Sequence, residues 1–215
     1  GLSFPLTGAQ KKSTWEILKD LGKKTPMSRL LEGDVGSGKT MVAIIALLNV
    51  AASGRQGALM APTENLAEQH FKTLSHYLYK YDIKIGLLTS KRQEVNYELG
   101  NDTMLTSADI LIGTHALIQS KIVIPRLSLA IVDEQHRFGV NQRHTIIKAG
   151  DNVVPHFLSM TATPIPRSMA LAIYGDLDFS IIDEMPKGRQ IINTSLINNK
   201  NRAETYQFIH KEIKN

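Results

Sequence analysis

Short apolar runs alternate along most of the chain with longer stretches in which apolar residues recur every three or four positions. The first pattern predicts buried strands and the second predicts amphipathic helices. Strands that alternate with helices in this way are typical of a mostly parallel sheet with helices on both faces, so we expect an α/β fold. Helices are predicted at 9–21, 39–52, 65–79, 90–99 (a polar helix) and 201–214, and strands at 27–32, 57–60, 83–88, 110–112, 129–132 and 157–160.

Composition and charge indicate the cellular compartment and the kind of partner. The longest apolar run, residues 41–48, is much shorter than the ~20 residues that a membrane-spanning helix needs. The absence of cysteine excludes disulfides and thiolate metal sites and fits a reducing compartment. A net charge of +5 favours polyanionic partners such as nucleic acid, although many unrelated enzymes carry a similar charge. We therefore expect a soluble, cytoplasmic domain with no membrane segment.

Residues 33–40 carry the most specific local motif, GDVGSGKT. They match the phosphate-loop pattern G-x-x-x-x-G-K-[ST] between a predicted strand and a predicted helix. Glycines such as Gly33, Gly36 and Gly38 let several N–H groups, including that of Ser37, point at one phosphate, and the helix N-terminus adds partial positive charge. Lys39 would contact the β- and γ-phosphates, and the Thr40 hydroxyl would ligate Mg²⁺. The alternative is a glycine-rich turn with a chance lysine, which the strand–loop–helix context disfavours.

Two carboxylates, Asp133 and Glu134, directly follow the predicted strand 129–132. Strand ends of this kind lie at the carboxyl edge of the sheet, where open α/β folds bind ligands. Asp133 is the expected Mg²⁺ partner, and Glu134 would orient the attacking water or accept its proton. The alternative, an acidic pair that stabilises a helix N-terminus, is common for an isolated pair. Together with the phosphate loop, the pair indicates a hydrolase that uses Mg²⁺ and a nucleotide.

Several further segments resemble the motifs of superfamily 2 helicases, a resemblance that covers most of the chain. Residues 4–10 (FPLTGAQ) resemble the adenine-reading Q-type motif, in which Gln10 would bond the adenine edge and Phe4 would stack on the base. The alternatives are an aromatic staple and a glutamine on a helix surface. Residues 133–136 (DEQH) resemble motif II, so Gln135 and His136 are expected to act with Glu134 in catalysis and coupling.

Motifs Ia, Ib and III are also recognisable. Residues 61–69 (APTENLAEQ) resemble motif Ia and residues 113–115 (GTH) resemble motif Ib; in the family, both contact the nucleic-acid backbone. Each places a hydroxyl and free N–H groups at a helix start, a good phosphate site. The alternative is that the two threonines act only as helix caps. Residues 159–164 (SMTATP) resemble motif III, which couples the nucleotide site to the nucleic-acid site. The resulting candidates are Pro62, Thr63, Gln69, Gly113, Thr114 and His115 for nucleic acid, and Thr161, Ala162 and Thr163 for coupling.

Longer strings resemble two helicase families, the RecG family and the Mfd family of DNA translocases. Strings similar to GTHALIQ at 113–119, DEQHRFGV at 133–140 and TPIPR at 163–167 occur in both families. The DEQH form of residues 133–136, GDLD at 175–178 and PKGR at 186–189 are more similar to RecG. The resemblance implies an ATP- and Mg²⁺-dependent helicase that acts on branched DNA in recombination and repair. It also implies a RecA-like P-loop domain at 1–185, and a linker with the first elements of a truncated second helicase domain at 186–215. Partners would then be DNA, the second RecA-like domain and the wedge domain of a longer chain.

Three other interpretations stay open on the sequence alone. An Mfd-type translocase, or another superfamily 2 motor acting on RNA, would share the nucleotide motifs. In isolation, the fragment would be a non-catalytic nucleotide-binding module, since the resemblance places the arginine finger in the second domain. A P-loop kinase or transporter ATPase would share the phosphate loop but would not explain motifs Ia, Ib and III together.

Overall fold

The computed structural model describes residues 4–96, 105–119, 124–134, 154–163, 177–186, 194, 196–198 and 201–214. Among the described helices, none has the length and apolar character needed to cross a membrane. Short 3₁₀ turns lie at Tyr79–Tyr81 and Leu105–Ser107. In chain order the elements are α1 (Gly8–Leu21), β1 (Ser28–Gly33), α2 (Lys39–Ala52), β2 (Gln56–Met60), α3 (Glu64–Leu78), β3 (Ile85–Leu88), β4 (Gln93–Val95), β5 (Ile110–Gly113), α4 (Ala116–Gln119), β6 (Leu127–Asp133), β7 (His156–Thr161), β8 (Asp178–Ile182) and α5 (Arg202–Lys214).

The strands form one eight-stranded sheet in the order β4-β3-β5-β2-β6-β7-β1-β8. The β3–β4 pair is antiparallel and the other neighbouring pairs are parallel. The parallel strands therefore end at one edge, where Met60 pairs with both Gly113 and Val132, and where Asp133 pairs with Met160. This register places the loops that follow β5, β2, β6, β7 and β1 side by side along the carboxyl edge.

Two apolar clusters cover the two faces of the sheet. Alternate residues of a strand point to opposite faces, and in β2 Leu59 packs with one cluster whereas Ala58 and Met60 pack with the other. The first cluster joins the sheet to α1, α2 and α3, and the second includes Leu117 of α4. Helices thus lie on both faces, and the α/β prediction is confirmed.

Most predicted elements are confirmed within two residues at each end, but two regions differ. The helix predicted at 90–99 is wrong, because residues 93–95 form strand β4 of a hairpin, and residues 97–99 lie outside the described residues. A hydrogen bond of 2.8 Å from the Thr89 N–H to the Arg92 carbonyl closes the hairpin. The Arg92 guanidinium also forms an ion pair with the Glu94 carboxylate at 2.6 Å. Strand β8 lies in the segment 164–194, where the sequence analysis predicts no regular element.

A buried arginine explains how β8 joins the sheet. Arg29 of β1 is bonded to Asp20 of α1 over 2.6 Å and to the Phe179 carbonyl and Ser180 hydroxyl of β8 over 3.0 Å each. Burial would raise the pKa of Asp20, but hydrogen bonds from Lys23 and Arg29 outweigh it and hold that pKa below its usual range. Arg29 therefore links α1, β1 and β8 and holds the edge strand in place.

Candidate nucleotide-binding site

The loop between β1 and α2 has the backbone of a phosphate cradle. Gly36 and Gly38 have positive φ angles of 78° and 91°, which L-residues rarely adopt. The Ser37 N–H donates to the Asp34 carbonyl over 3.1 Å, which closes the turn. Gly38 begins α2 without a side-chain cap, so the first N–H groups of this helix are available to an anion.

Two polar side chains of the loop also fit a phosphate. Ser37 is 1% exposed, and among the described residues its hydroxyl has no hydrogen-bond partner. The Lys39 ammonium donates to the carbonyls of Gly33 at 2.6 Å and Asp34 at 3.1 Å, so it lies across its own loop. Burial lowers the pKa of Lys39, while the nearby charges of Glu134, Asp133 and Asp34 oppose this shift. The buried hydroxyl, the N–H groups and the ammonium form a donor set suited to the phosphates of a nucleotide.

Gln10 connects the Q-type segment to this loop. It forms a capping box with Thr7, whose N–H donates to the Gln10 side-chain oxygen over 2.9 Å, and its Nε2 donates to the Ser37 carbonyl over 2.7 Å. A Cβ atom at Gly38 would collide with the Gln10 amide nitrogen. The Gln10 amide has two N–H groups and two acceptor positions, and these bonds use one of each. The bonds place Gln10 against the phosphate loop, and its contact with adenine stays a prediction.

A cleft of about 910 Å³ opens beside the loop, between the start of α1 and one side of α3. Ligand pockets commonly have volumes of roughly 300–1,000 Å³. Phe4 lies at its margin, 38% exposed, with its ring edge-on to Tyr77 at a centroid separation of 6.4 Å. Glu184, which accepts the Ala9 N–H over 3.1 Å, lines the same cleft. Phe4 is thus placed where a base beside the loop could meet it, while Tyr77 and Glu184 are lining residues that the sequence analysis missed.

The acidic pair lies at the carboxyl end of β6, on the same edge as the phosphate loop. Asp133 accepts a hydrogen bond from His70 Nε2 over 2.9 Å, a contact that the sequence analysis missed. Glu134 has a φ of 52°, a left-handed conformation that costs a non-glycine residue about 1–2 kcal/mol and is often found at functional sites. Gln135 and His136 lie outside the described residues. Thr40 and Asp133 are the residues here that would hold Mg²⁺, which prefers oxygen ligands.

The nucleic-acid candidates follow β2 and β5, on the far side of β6 from the phosphate loop. The Thr63 hydroxyl accepts the Leu66 N–H over 3.3 Å and caps α3. Thr114 is buried, and a Cβ at Gly113 would collide with the Leu88 carbonyl, so backbone packing requires glycine there. The predicted cap is therefore present at Thr63, whereas the Thr114 hydroxyl accepts only a 3.5 Å bond from the Ala116 N–H. Phosphate contact at Thr63 stays a prediction. The remaining candidates are the half-buried Pro62 and His115 and the exposed Gln69.

The motif III hydroxyls bond to each other. Thr161, at the end of β7, lies 2.9 Å from the Thr163 hydroxyl and accepts the Thr163 N–H over 3.1 Å. Thr161 is buried, Ala162 is half-buried and Thr163 is exposed. Since β7 lies between β6 and β1, this hydroxyl pair is located between the acidic pair and the phosphate loop. A role in coupling stays a prediction.

Comparisons with known proteins agree with this arrangement. The DEAD/DEAH box helicase family matches residues 7–171. The chain is 48% identical over 99% of its length to the ATP-dependent DNA helicase RecG of Synechocystis sp. and 48% identical over 99% of its length to that of Aquifex aeolicus. A solved structure of RecG bound to a three-way DNA junction superposes with a TM-score of 0.80 at 41% identity, covering 99% of this chain and 28% of that one. The chain spans 25% and 27% of the length of the two curated relatives.

Proposed function

The chain belongs to the DEAD/DEAH box helicase family, and we propose that it is the nucleotide-binding RecA-like domain of an ATP-dependent DNA helicase that acts on branched DNA. The observation that carries this proposal is the phosphate loop, with its buried Ser37 hydroxyl and its Lys39 ammonium, on the same sheet edge as Asp133 and Glu134. The similarity to proteins named RecG supports this function over that of an Mfd-type translocase.

Each part of the site has a proposed role in nucleotide use. The loop N–H groups and Lys39 would hold the phosphates of ATP, and Thr40 and Asp133 would hold Mg²⁺, which when bound offsets negative charge on the phosphates. Glu134 would orient the attacking water or accept its proton. Gln135 and His136 are proposed to assist Glu134 and to couple hydrolysis to motion.

Base recognition and coupling are proposed on either side of the phosphate site. Phe4 would stack on adenine and Gln10 would read its edge, because both line the cleft beside the loop. On the other side, Thr161, Ala162 and Thr163 would transmit the nucleotide state towards the residues that follow β2 and β5.

DNA would be bound at the carboxyl edge of the sheet, beyond β6, and most contacts would be made to its phosphates and not to its bases. Thr63 lies at the start of α3, where free N–H groups and the helix dipole favour an anion. The neighbouring candidates Pro62, Gln69, Gly113, Thr114 and His115 lie after the same two strands. The relative whose structure contains a three-way junction supports branched DNA as the partner.

We further propose that residues 1–185 form the RecA-like domain, and that 186–215 form a linker and the first elements of a second helicase domain. A second RecA-like domain would supply an arginine finger to the γ-phosphate, and a wedge domain would engage the branch. Such a finger is worth roughly 10³–10⁵ in turnover. The chain alone would therefore act mainly as a nucleotide-binding module.

Measuring ATP hydrolysis with and without three-way-junction DNA tests this proposal. The 215-residue chain should bind MgADP, hydrolyse ATP slowly and respond little to DNA. A longer protein that includes a second RecA-like domain should hydrolyse ATP faster when the junction is added. Rapid junction-stimulated turnover by the chain alone would contradict the need for a second domain, and an absence of nucleotide binding would contradict the proposed function as a whole.

A further inference from the structure

A buried histidine on α3 holds the carboxylate that ends β6. His70 is 6% exposed, and its Nε2 lies 2.9 Å from Oδ2 of Asp133, a residue 63 positions further along the chain. Because a carboxylate only accepts hydrogen bonds, the Nε2–H group of His70 is the donor. The contact therefore fixes one carboxylate oxygen and leaves the other oxygen of Asp133 outside this bond.

Position 70 is one where core packing alone would favour an apolar residue. Ala67, Phe71 and Leu74 of α3 are buried in the same stretch of the helix and belong to the cluster that covers the sheet. Polar groups at such positions require a hydrogen-bond partner, since an unsatisfied one costs about 1–3 kcal/mol. His70 has its partner in Asp133, at the end of β6 on the edge that carries the phosphate loop.

We propose that His70 is a positioning residue that orients the Asp133 carboxylate for Mg²⁺, an inference that rests on the nucleotide-dependent function proposed above. A ligand carboxylate is commonly oriented by a second hydrogen-bonding group, and loss of such a group typically weakens metal affinity or activity by about 10–100-fold. His70 fulfils this description because its bond holds one carboxylate oxygen of Asp133 and does not involve the other.

The same bond connects the Mg²⁺ carboxylate to the helix that carries a proposed DNA contact. Thr63 caps α3, and His70 lies seven residues further along it, which corresponds to about 10 Å of helix. The His70–Asp133 bond thus joins the helix that begins after Thr63 to the carboxyl end of β6.

Titration of Mg²⁺ against binding of a fluorescent ADP analogue tests this role without requiring turnover. In His70→Leu the donor is lost while an apolar side chain fills the core position, and in His70→Gln an amide N–H is retained. We expect the Mg²⁺ concentration at half-maximal enhancement of binding to rise about 10–100-fold in the Leu variant and to return towards wild type in the Gln variant. Affinity for the analogue in EDTA should be the same in all three proteins.

His156 provides a matched control at the opposite edge of the sheet. Its Nδ1 accepts the Met27 N–H over 2.9 Å at the start of β7, so His156→Gln should lower the unfolding temperature without changing the Mg²⁺ dependence. If the Leu variant does not fold, His70→Asn replaces it, because its shorter amide would not reach Asp133.

Three results would overturn the positioning role, and a fourth would overturn the proposed function instead. An unchanged Mg²⁺ dependence in His70→Leu, or an equal loss of affinity with and without Mg²⁺, would overturn the positioning role. A Leu-like defect in His70→Gln would also count against it. By contrast, a wild-type chain that binds no analogue in either condition would contradict the proposed function rather than this inference.

Discussion

Replacing Gly38 by alanine is expected to destabilise the chain by more than its backbone strain alone. Gly38 has a φ of 91°, and an added Cβ would collide with the Gln10 amide nitrogen. A left-handed alanine costs about 1–2 kcal/mol. Displacing the Gln10 amide would also break its 2.7 Å bond to the Ser37 carbonyl, and a buried group left unsatisfied costs about 1–3 kcal/mol.

Gly54→Ala is the matched control for this substitution. Gly54 also has a positive φ, 71°, but nothing lies within 4 Å of its added Cβ. The control should therefore lose about 1–2 kcal/mol, whereas Gly38→Ala should lose about 2–5 kcal/mol. Urea unfolding of both variants measures the difference, and MgADP binding should fall only in Gly38→Ala.

A double-mutant cycle isolates the contribution of Gln10. In a Gln10→Ala background the collision is removed, so Gly38→Ala should cost no more than Gly54→Ala. Equal losses for the two glycine variants in the wild-type background would refute the reasoning. They would mean that Gln10 moves aside freely and does not hold the phosphate loop.

Three further predictions concern ligands. Burial lowers the pKa of Lys39 in the free chain, and bound phosphates should raise that pKa. MgADP binding should therefore take up protons and weaken as the pH rises towards 10.5, the ordinary lysine value. Calorimetry in buffers of different ionisation enthalpy would detect this proton uptake, and Lys39→Arg should suppress it. ATP should bind more tightly than GTP, and Phe4→Ala should narrow the difference, whereas equal affinities in the wild type would remove the adenine-reading role. The affinity for DNA should fall steeply with salt concentration and should be lower in Thr63→Asp. Tight binding that is insensitive to both salt and this substitution would contradict a phosphate contact at α3.

Where the sequence carries strong local signals, the predictions agree with the structure. The predicted helix 39–52 has the same bounds as α2, because the phosphate loop fixes its start and the apolar run fixes its course. The buried strands β5, β6 and β7 agree with their predicted bounds within two residues at each end, because each is a short, mostly apolar run bounded by polar residues or glycine.

The misses come from elements whose stability depends on distant partners. Strand β4 is polar and half-exposed, so its residues lack an apolar signal, and the hairpin with β3 decides its conformation. Strand β8 is held by Arg29, about 150 residues away in the chain. The His70–Asp133 bond likewise joins α3 to β6 across 63 positions, and no local pattern indicates it. The bond from Gln10 to the Ser37 carbonyl also follows from tertiary packing and has no local signal, while the contact of Gln10 with adenine stays a prediction.

The most direct test of the nucleotide site is a calorimetric titration of MgATP into the wild-type chain and two variants. Lys39→Ala removes the ammonium beside the loop, so binding should weaken about 10–100-fold, as expected for loss of charge-assisted hydrogen bonds worth about 1.5–3 kcal/mol. Glu134→Gln keeps the phosphate cradle and should bind MgATP as the wild type does, because its proposed role is confined to the attacking water. Equal loss of binding in both variants, or no binding by the wild type, would contradict the account.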